Sequence, residues 1–371
     1  MKSQVDQIVD SLLLKLAGIR EFEPQVDVYF MLGSTVSKNP KQLPYTTPLR
    51  RYDDYVVLGA IVFNQIDAMV LAKVFGSLVD RFYVDVEKKL PIDYAPNYEL
   101  IEKYDIHLPD QKRSGAPELG NISHGVLPII DNKIYFPYKA NDITVDAVWT
   151  FVASFVGDLS GKNILLVGLG NIGSKLSLKF VESGADVSVI GTREYRDLAI
   201  INSLNTIKNK AVLAQIHLSN SIEFSALRAD VIVLTASGGE VFWGKEAECS
   251  VQCKLVVDVG KGNLSEDALE VFHGKGIAVW RADISDYLPT MISQSKIIKY
   301  DAFKKFGFRL VGEYKIISGG WVGRVGDVVV DNFNDPKTII GICDGKGGFK
   351  DYTDHELLAI LRLIKSSLGA S

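Results

Sequence analysis

Apolar residues recur along the chain in two alternating periods. Val5, Ile8, Val9, Leu12, Leu13 and Leu16 share one side of residues 3–17, predicting an amphipathic helix. Near-continuous apolar runs follow at 26–32, 55–63 and 82–86, as expected of strands buried on both faces. Ile66, Met69, Val70, Val74 and Leu78 trace a helix between the second and third. Residues 24–90 therefore predict an α/β layer. Residues 37–51, with Pro40, Pro44 and Pro48, read as turns, and the polar stretch 91–120 as an excursion from that layer. Two short apolar runs around Asp131-Asn132-Lys133 predict a hairpin within 126–138. Asp142 or Thr144 is the expected cap of a helix over 145–156, ending at Gly157.

Residues 162–196 organise the rest. The run Ile164-Leu165-Leu166-Val167 predicts a buried strand, and Gly168, Gly170 and Gly173 follow it in G-x-G-x-x-G spacing. Ile172, Leu176 and Phe180 then mark a helix ending at Gly184, and a second strand is predicted at 187–190. Strand, glycine turn, helix and strand within about 30 residues make the spacing a dinucleotide-binding fingerprint. Gly168 is expected to allow the turn, Gly170 to let backbone approach a diphosphate, and Gly173 to let the helix lie close on the strand. Asn171 and Ile172 open the helix whose amides would face the phosphates. An NAD-selective site usually has a carboxylate at the end of the second strand. Here Gly191 is followed by Thr192, Arg193, Glu194, Tyr195 and Arg196. Two guanidinium groups suit a ribose phosphate, so NADP(H) is the expected cofactor, with NAD(H) as the alternative through Glu194.

Further strands predicted at 212–217, 230–235, 255–259 and 276–279, with a helix at 222–227, complete a doubly wound parallel sheet. From about residue 292 the pattern changes to strands at 309–317, 327–331 and 338–343 and a helix at 355–366; the glycine runs at 319–320 and 345–348 read as turns. The expected organisation is a substrate-binding, catalytic α/β domain over 1–141 and a dinucleotide-binding domain over 142–290. A C-terminal α+β segment over 291–371 either completes the first domain or forms a small appendage.

Composition narrows the function classes. With 47% hydrophobic and 23% charged residues over 371 positions, the chain reads as globular. A net charge of −4 without a basic run argues against nucleic acid. Three cysteines, Cys249, Cys253 and Cys343, suggest neither a metal site nor a disulfide framework and fit a reducing, cytoplasmic setting. Asp6 and Asp10 interrupt the first apolar segment, so neither a secretory leader nor a membrane anchor is expected. The expected partner is a small-molecule substrate, and a homodimer is compatible.

Leu159-Ser160-Gly161-Lys162, followed by VGLGNIG, resembles the two-domain NAD(P)-dependent dehydrogenases with a Rossmann-fold cofactor domain, the D-2-hydroxyacid dehydrogenases among them. The similarity continues through Ala229-Asp230-Val231-Ile232-Val233, residues 262–269 and Ala282-Asp283. The chain departs from that family in having Lys261-Gly262 where the catalytic Arg-Gly pair stands, and no histidine in residues 289–295. Residues 229–238 and 256–260 are also similar to shikimate and methylene-tetrahydrofolate dehydrogenases, as is Thr192-Arg193. That resemblance implies a catalytic lysine in the first domain, for which Lys38, Lys88 and Lys89 are candidates.

Residues just past the strand ends of the doubly wound sheet are the other candidates. Thr235, Ala236 and Ser237 would let a nicotinamide ribose approach. Lys261 could hold a carboxylate or polarise a carbonyl, and Asp283 could set its charge or relay a proton. Lys88, close to Asp85 and Glu87, could handle a proton across the cleft, and His124 stands on a glycine-flanked stretch. One internal echo is present: Val84-Asp85-Val86-Glu87-Lys88 and Val257-Asp258-Val259-Gly260-Lys261 both follow apolar strands. The expected activity is NADP-dependent hydride transfer to or from a carbonyl or imine carbon of a small polar, carboxylate-bearing metabolite. The alternatives are net non-redox chemistry with a retained dinucleotide, or a dinucleotide-binding regulatory protein.

Overall fold

The computed structural model describes residues 3–35, 42–91, 98–107, 119–285, 287–296 and 307–369. The chain divides into two units, Met1–Leu288 and Pro289–Ser371. In the first, α1 (Gln4–Phe22) opens with a capping box: Asp6 N donates to Ser3 Oγ and Ser3 N to Asp6 Oδ2. Then come β1 (Asp27–Ser34), β2 (Tyr45–Thr46), β3 (Arg50–Arg51), β4 (Tyr55–Val62), α2 (Gln65–Phe75), β5 (Arg81–Asp85), β6 (Leu90–Pro91), α3 (Tyr98–Lys103), β7 (Leu119–Gly120), α4 (Ser123–Val126), β8 (Tyr135–Tyr138) and α5 (Ala140–Val156). The strands β4, β1, β5 and β8 lie side by side and parallel, with β2 and β3 antiparallel on the outer side of β4. Val28, Phe30 and Leu32 of β1 and Val56 and Leu58 of β4 face α1 and α2 in one core, which is why those strands read as apolar runs.

Two expectations for this layer need correction. No hairpin forms over 126–138. The first apolar run belongs to α4 and the turn after it, while β8 pairs parallel with β5, Phe82 opposite Tyr135. Asp131 makes the turn instead, its Oδ1 accepting from Lys133 N and its carbonyl from Ile134 N. Nor do Asp142 and Thr144 cap α5. The helix starts earlier, at Ala140, and both side chains have other partners: Asp142 pairs with Lys139, the residue before the helix, and with Lys175 of the helix over 171–182, while Thr144 Oγ1 donates to Ala140 O within it.

A second sheet carries β9 (Asn163–Val167), α6 (Asn171–Glu182), β10 (Asp186–Ile190), α7 (Glu194–Ile207), β11 (Ile216–Leu218), α8 (Ile222–Ala226), β12 (Val231–Leu234), α9 (Gly244–Cys249), β13 (Leu255–Asp258), α10 (Glu266–Gly274) and β14 (Ala278–Arg281). All six strands are parallel, in the order β11-β10-β9-β12-β13-β14. Numbered along the chain this is 3-2-1-4-5-6, the doubly wound Rossmann order, with the reversal between β9 and β12. Leu166, Val189 and Val233 fill the core on one face, and Leu165, Ile232 and Val256 that on the other.

After α11 (Leu288–Lys296), the second unit has β15 (Phe308–Val311), β16 (Tyr314–Ser318), β17 (Val328–Val330), β18 (Ile339–Ile342) and α12 (Asp354–Gly369). Its sheet runs β15-β16-β17-β18, antiparallel at both outer pairs and parallel at the centre. Leu361 and Ile364 of α12 share its core with Ile316, Val328 and Val330.

Candidate functional site

The glycine turn lies at the carboxyl end of β9, where the strand order reverses. Gly168 has φ +104°, and a Cβ there would come within 2.7 Å of Ala236 N. At Gly173 a Cβ would stand 2.0 Å from Gly168 O and 2.8 Å from Thr235 Oγ1, so only glycine lets α6 lie this close to β9 and β12. Gly170, the N-cap of α6, differs: a Cβ there would meet nothing within 4 Å. No side chain among the described residues caps α6, so the amides of its first turn, those of Asn171 and Ile172 included, have no side-chain acceptor. Thr235 Oγ1 donates to Gly168 O (2.5 Å) and ties the turn to the end of β12. These features fit a diphosphate bound on backbone amides.

Past β10, Asp197 is buried, and its carboxylate accepts from Arg193 N (2.8 Å) and Arg196 Nη1 (3.2 Å). Gly191 is required there, since a Cβ would stand 2.1 Å from Asp197 Oδ2. Arg196 also donates to Leu169 O (3.1 Å), so it braces the glycine turn. The side chains of Thr192 and Arg193 are exposed and have no partner among the described residues. Two residues named together from the sequence thus have separate tasks: Arg196 supports the loop and Arg193 faces solvent.

The ends of β12, β13 and β14 meet beside the turn. Asn263, buried, donates to Ala236 O and Gly239 O (both 3.1 Å), fixing the stretch Thr235, Ala236, Ser237. Asp258 ends β13 and accepts the amides of Lys261 (2.8 Å), Gly262 (2.7 Å) and Asn263 (3.2 Å). This wrap holds Lys261 at φ +62°, a conformation that non-glycine residues seldom adopt. The Lys261 side chain is exposed to solvent, yet partial desolvation by the protein around it, then the Arg281 and Arg50 charges, hold its ammonium below the ordinary lysine value. Asp283 follows β14. Burial pushes its carboxyl upward, but donation from Ser285 Oγ (2.9 Å) and Ser285 N (3.0 Å), and the Arg50 guanidinium, bring it below the usual carboxylate range. Arg50 itself comes from β3 of the first sheet.

The first sheet contributes a buried ionic cluster at its own carboxyl end. Lys89 Nζ lies 2.9 Å from Asp85 Oδ2, 2.7 Å from Glu87 Oε2 and 3.3 Å from Ser34 O. Ser34 Oγ donates to Asp85 Oδ2 (2.9 Å). Three acceptors engage all three ammonium hydrogens, so Lys89 acts as an electrostatic hub. Tyr138 is buried next to it; burial, then Asp85 and Glu87, push its phenol well above its ordinary value, and it donates to Leu32 O. The cluster reaches the glycine turn through Asn141, whose amide N donates to Glu87 Oε2 (3.1 Å) and whose Nδ2 donates to Asn171 Oδ1 (3.4 Å).

Of the first-domain candidates, Lys88 is exposed, and its neighbour Lys89 makes the pairing with Asp85 and Glu87 expected of it. The strand ends at Asp85 and the turn after it carries Lys88 outward, which a count of residues past the strand does not reveal. His124 is exposed on the single turn of α4, where its amide donates to Asn121 Oδ1. Lys38 lies outside the described residues. Arg50, Tyr138 and Asn263 were not singled out from the sequence. The echo of Asp85 and Asp258 was the usable signal, because each ends its strand and accepts amides of the loop that follows.

No protein-family profile matches the chain, and no curated protein matches it in sequence. Among solved structures it is similar to glutamyl-tRNA reductase from Methanopyrus kandleri, at 16% identity and a TM-score of 0.32, over 42% of this chain and 41% of that one. L-tryptophan dehydrogenase from Nostoc punctiforme shares 11% identity at a TM-score of 0.39, over 74% and 75%. Shikimate dehydrogenase from Aquifex aeolicus shares 17% at 0.38, over 74% and 93%. Among the described residues no helix is long and apolar enough to cross a membrane.

Proposed function

We propose that the chain is an NADP-dependent oxidoreductase acting on a carbonyl or imine carbon, or its reduced counterpart, in a small polar, carboxylate-bearing metabolite. The observation that carries this reading is the uncapped α6 behind Gly170 at the reversal point of a 3-2-1-4-5-6 parallel sheet. Gly168, Gly170, Asn171, Ile172 and Gly173 would hold the diphosphate, and Thr192 and Arg193 the ribose phosphate. Thr235, Ala236 and Ser237 would border the nicotinamide side. A bound nicotinamide would donate or accept the hydride.

The chain's own residues then handle position and protons. Lys261 stands at the end of β13 in a strained backbone conformation, with an ammonium that gives up its proton more readily than an ordinary lysine. It is the group to protonate the substrate oxygen or nitrogen in reduction and to take that proton back in oxidation. The Lys89, Asp85 and Glu87 cluster fixes the facing wall and reaches Asn171 through Asn141. NADPH fluorescence titrated with the full chain tests the cofactor, and absorbance at 340 nm with a panel of oxo acids and imines tests turnover. Absence of binding to NADPH and NADH refutes the reading; binding without turnover on any substrate favours a regulatory or non-redox role.

A further inference from the structure

Arg50 belongs to β3 at the edge of the first sheet, yet its side chain, 14% exposed, reaches the loop after β14. Its Nε donates to Ser285 Oγ (2.7 Å) and its Nη2 to Asp283 Oδ1 (3.4 Å). Tyr52, two residues on, donates to Ser285 O (2.6 Å) and steadies the same strand. A guanidinium has five N–H groups in one plane. The two on the Nε–Nη2 edge are engaged; the parallel pair on the Nη1–Nη2 end and the remaining Nη1 hydrogen have no partner among the described residues. A fork anchored along one edge and open along another suits a carboxylate held by two parallel hydrogen bonds. The charge also calls for a further anion: Arg50 is mostly buried, while the one carboxylate paired with it among the described residues, that of Asp283, is 57% exposed. Asp258 and Arg281 end neighbouring strands opposite each other, which sets the Lys261 turn beside the Asp283–Ser285 loop that Arg50 grips.

We propose that Arg50 is the specificity-determining residue, its open edge receiving the substrate carboxylate across the cleft from the first sheet. Asp283 and Ser285 then act as positioning residues that orient the guanidinium. The role given to the substrate rests on the oxidoreductase reading, but the anion site is separable from it.

Calorimetry on the full chain, with and without saturating NADPH, uses oxalate and pyruvate as probes and neutral pyruvamide as the control. Both anions should bind and pyruvamide should not. Arg50→Gln should weaken oxalate and pyruvate roughly 10- to 100-fold, the effect of losing a hydrogen-bonded charge, while leaving NADPH affinity within about twofold of wild type. Arg50→Lys keeps the charge without the fork and should recover only part of the loss; it decides the matter if Arg50→Gln does not melt as a folded protein. No binding of either anion by wild type, or wild-type affinity in both variants, overturns the proposal. Arg50-dependent anion binding in a chain that takes no NADPH would support the clamp and remove the cofactor reading.

Discussion

Gly170→Ala and Gly173→Ala should separate cofactor binding from folding. At Gly173 the added methyl would lie 2.0 Å from Gly168 O, against roughly 3.3 Å for an ordinary carbon–oxygen contact. Relief would require α6 to move by about 1 Å from a turn that Thr235 also holds. Overpacking of this kind costs about 1–3 kcal/mol or more. At roughly 2–4 °C per kcal/mol for a large domain, the melting temperature should fall by about 2–12 °C. At Gly170 φ is −87° and ψ is −163°, open to any residue, and the methyl meets no atom within 4 Å. Stability should stay within about 1 kcal/mol of wild type. The same methyl would stand before the first-turn amides of α6, and NADPH affinity should fall at least about tenfold, the loss of one charge-assisted hydrogen bond. Thermal melts and NADPH fluorescence titration on the same preparations give both quantities. Wild-type NADPH affinity in Gly170→Ala, or a wild-type melt in Gly173→Ala, would refute the reasoning.

Arg193→Ala should weaken NADP binding roughly 10- to 100-fold and leave NAD unchanged, whereas Arg196→Ala should weaken both alike, because Arg196 braces Leu169 O; paired titrations distinguish the two. Lys261→Met should lower turnover by about 100-fold or more. In wild type the reductive rate should fall as pH rises through the lowered lysine value, and the variant should lack that limb. Asp67, buried in the first turn of α2, has its carboxyl raised to about 6 by burial, against donation from Asn64. The folded state therefore keeps a proton that the unfolded state has lost, and stability declines as pH climbs from about 4 to 6. Asp67→Asn removes that decline and should gain up to about 3 kcal/mol at pH 7, read from urea melts at pH 4.5 and 7. Equal differences at both pH values would contradict it.

How far the site could be read in advance depended on whether its parts were close in sequence. Gly168 and Gly173 were legible because turn and packing are requirements on consecutive backbone. The positions of Lys261 and Asp283, just past β13 and β14, were legible from the apolar runs that precede them. The distinction between Arg193 and Arg196 was not, since it depends on Asp197 being buried and on a carbonyl 27 residues away. Lys88 and Lys89 are neighbours in an unremarkable loop, and only the direction of the turn after Asp85 decides which is buried. The run before Asp131 offered no period long enough to separate a helical turn from a strand.

The doubly wound sheet and its glycine turn were written into local sequence, because burial on both faces demands apolar runs and close approach demands glycine. Long-range packing is what joins β8 to β5 in parallel and anchors Arg50 beside Asp283 and Ser285, more than 230 residues away. Pairing across such separations leaves no local period in the chain, since each partner satisfies its own neighbourhood equally well in other arrangements. Only when the strand ends come together do the charge and direction of the guanidinium take on meaning.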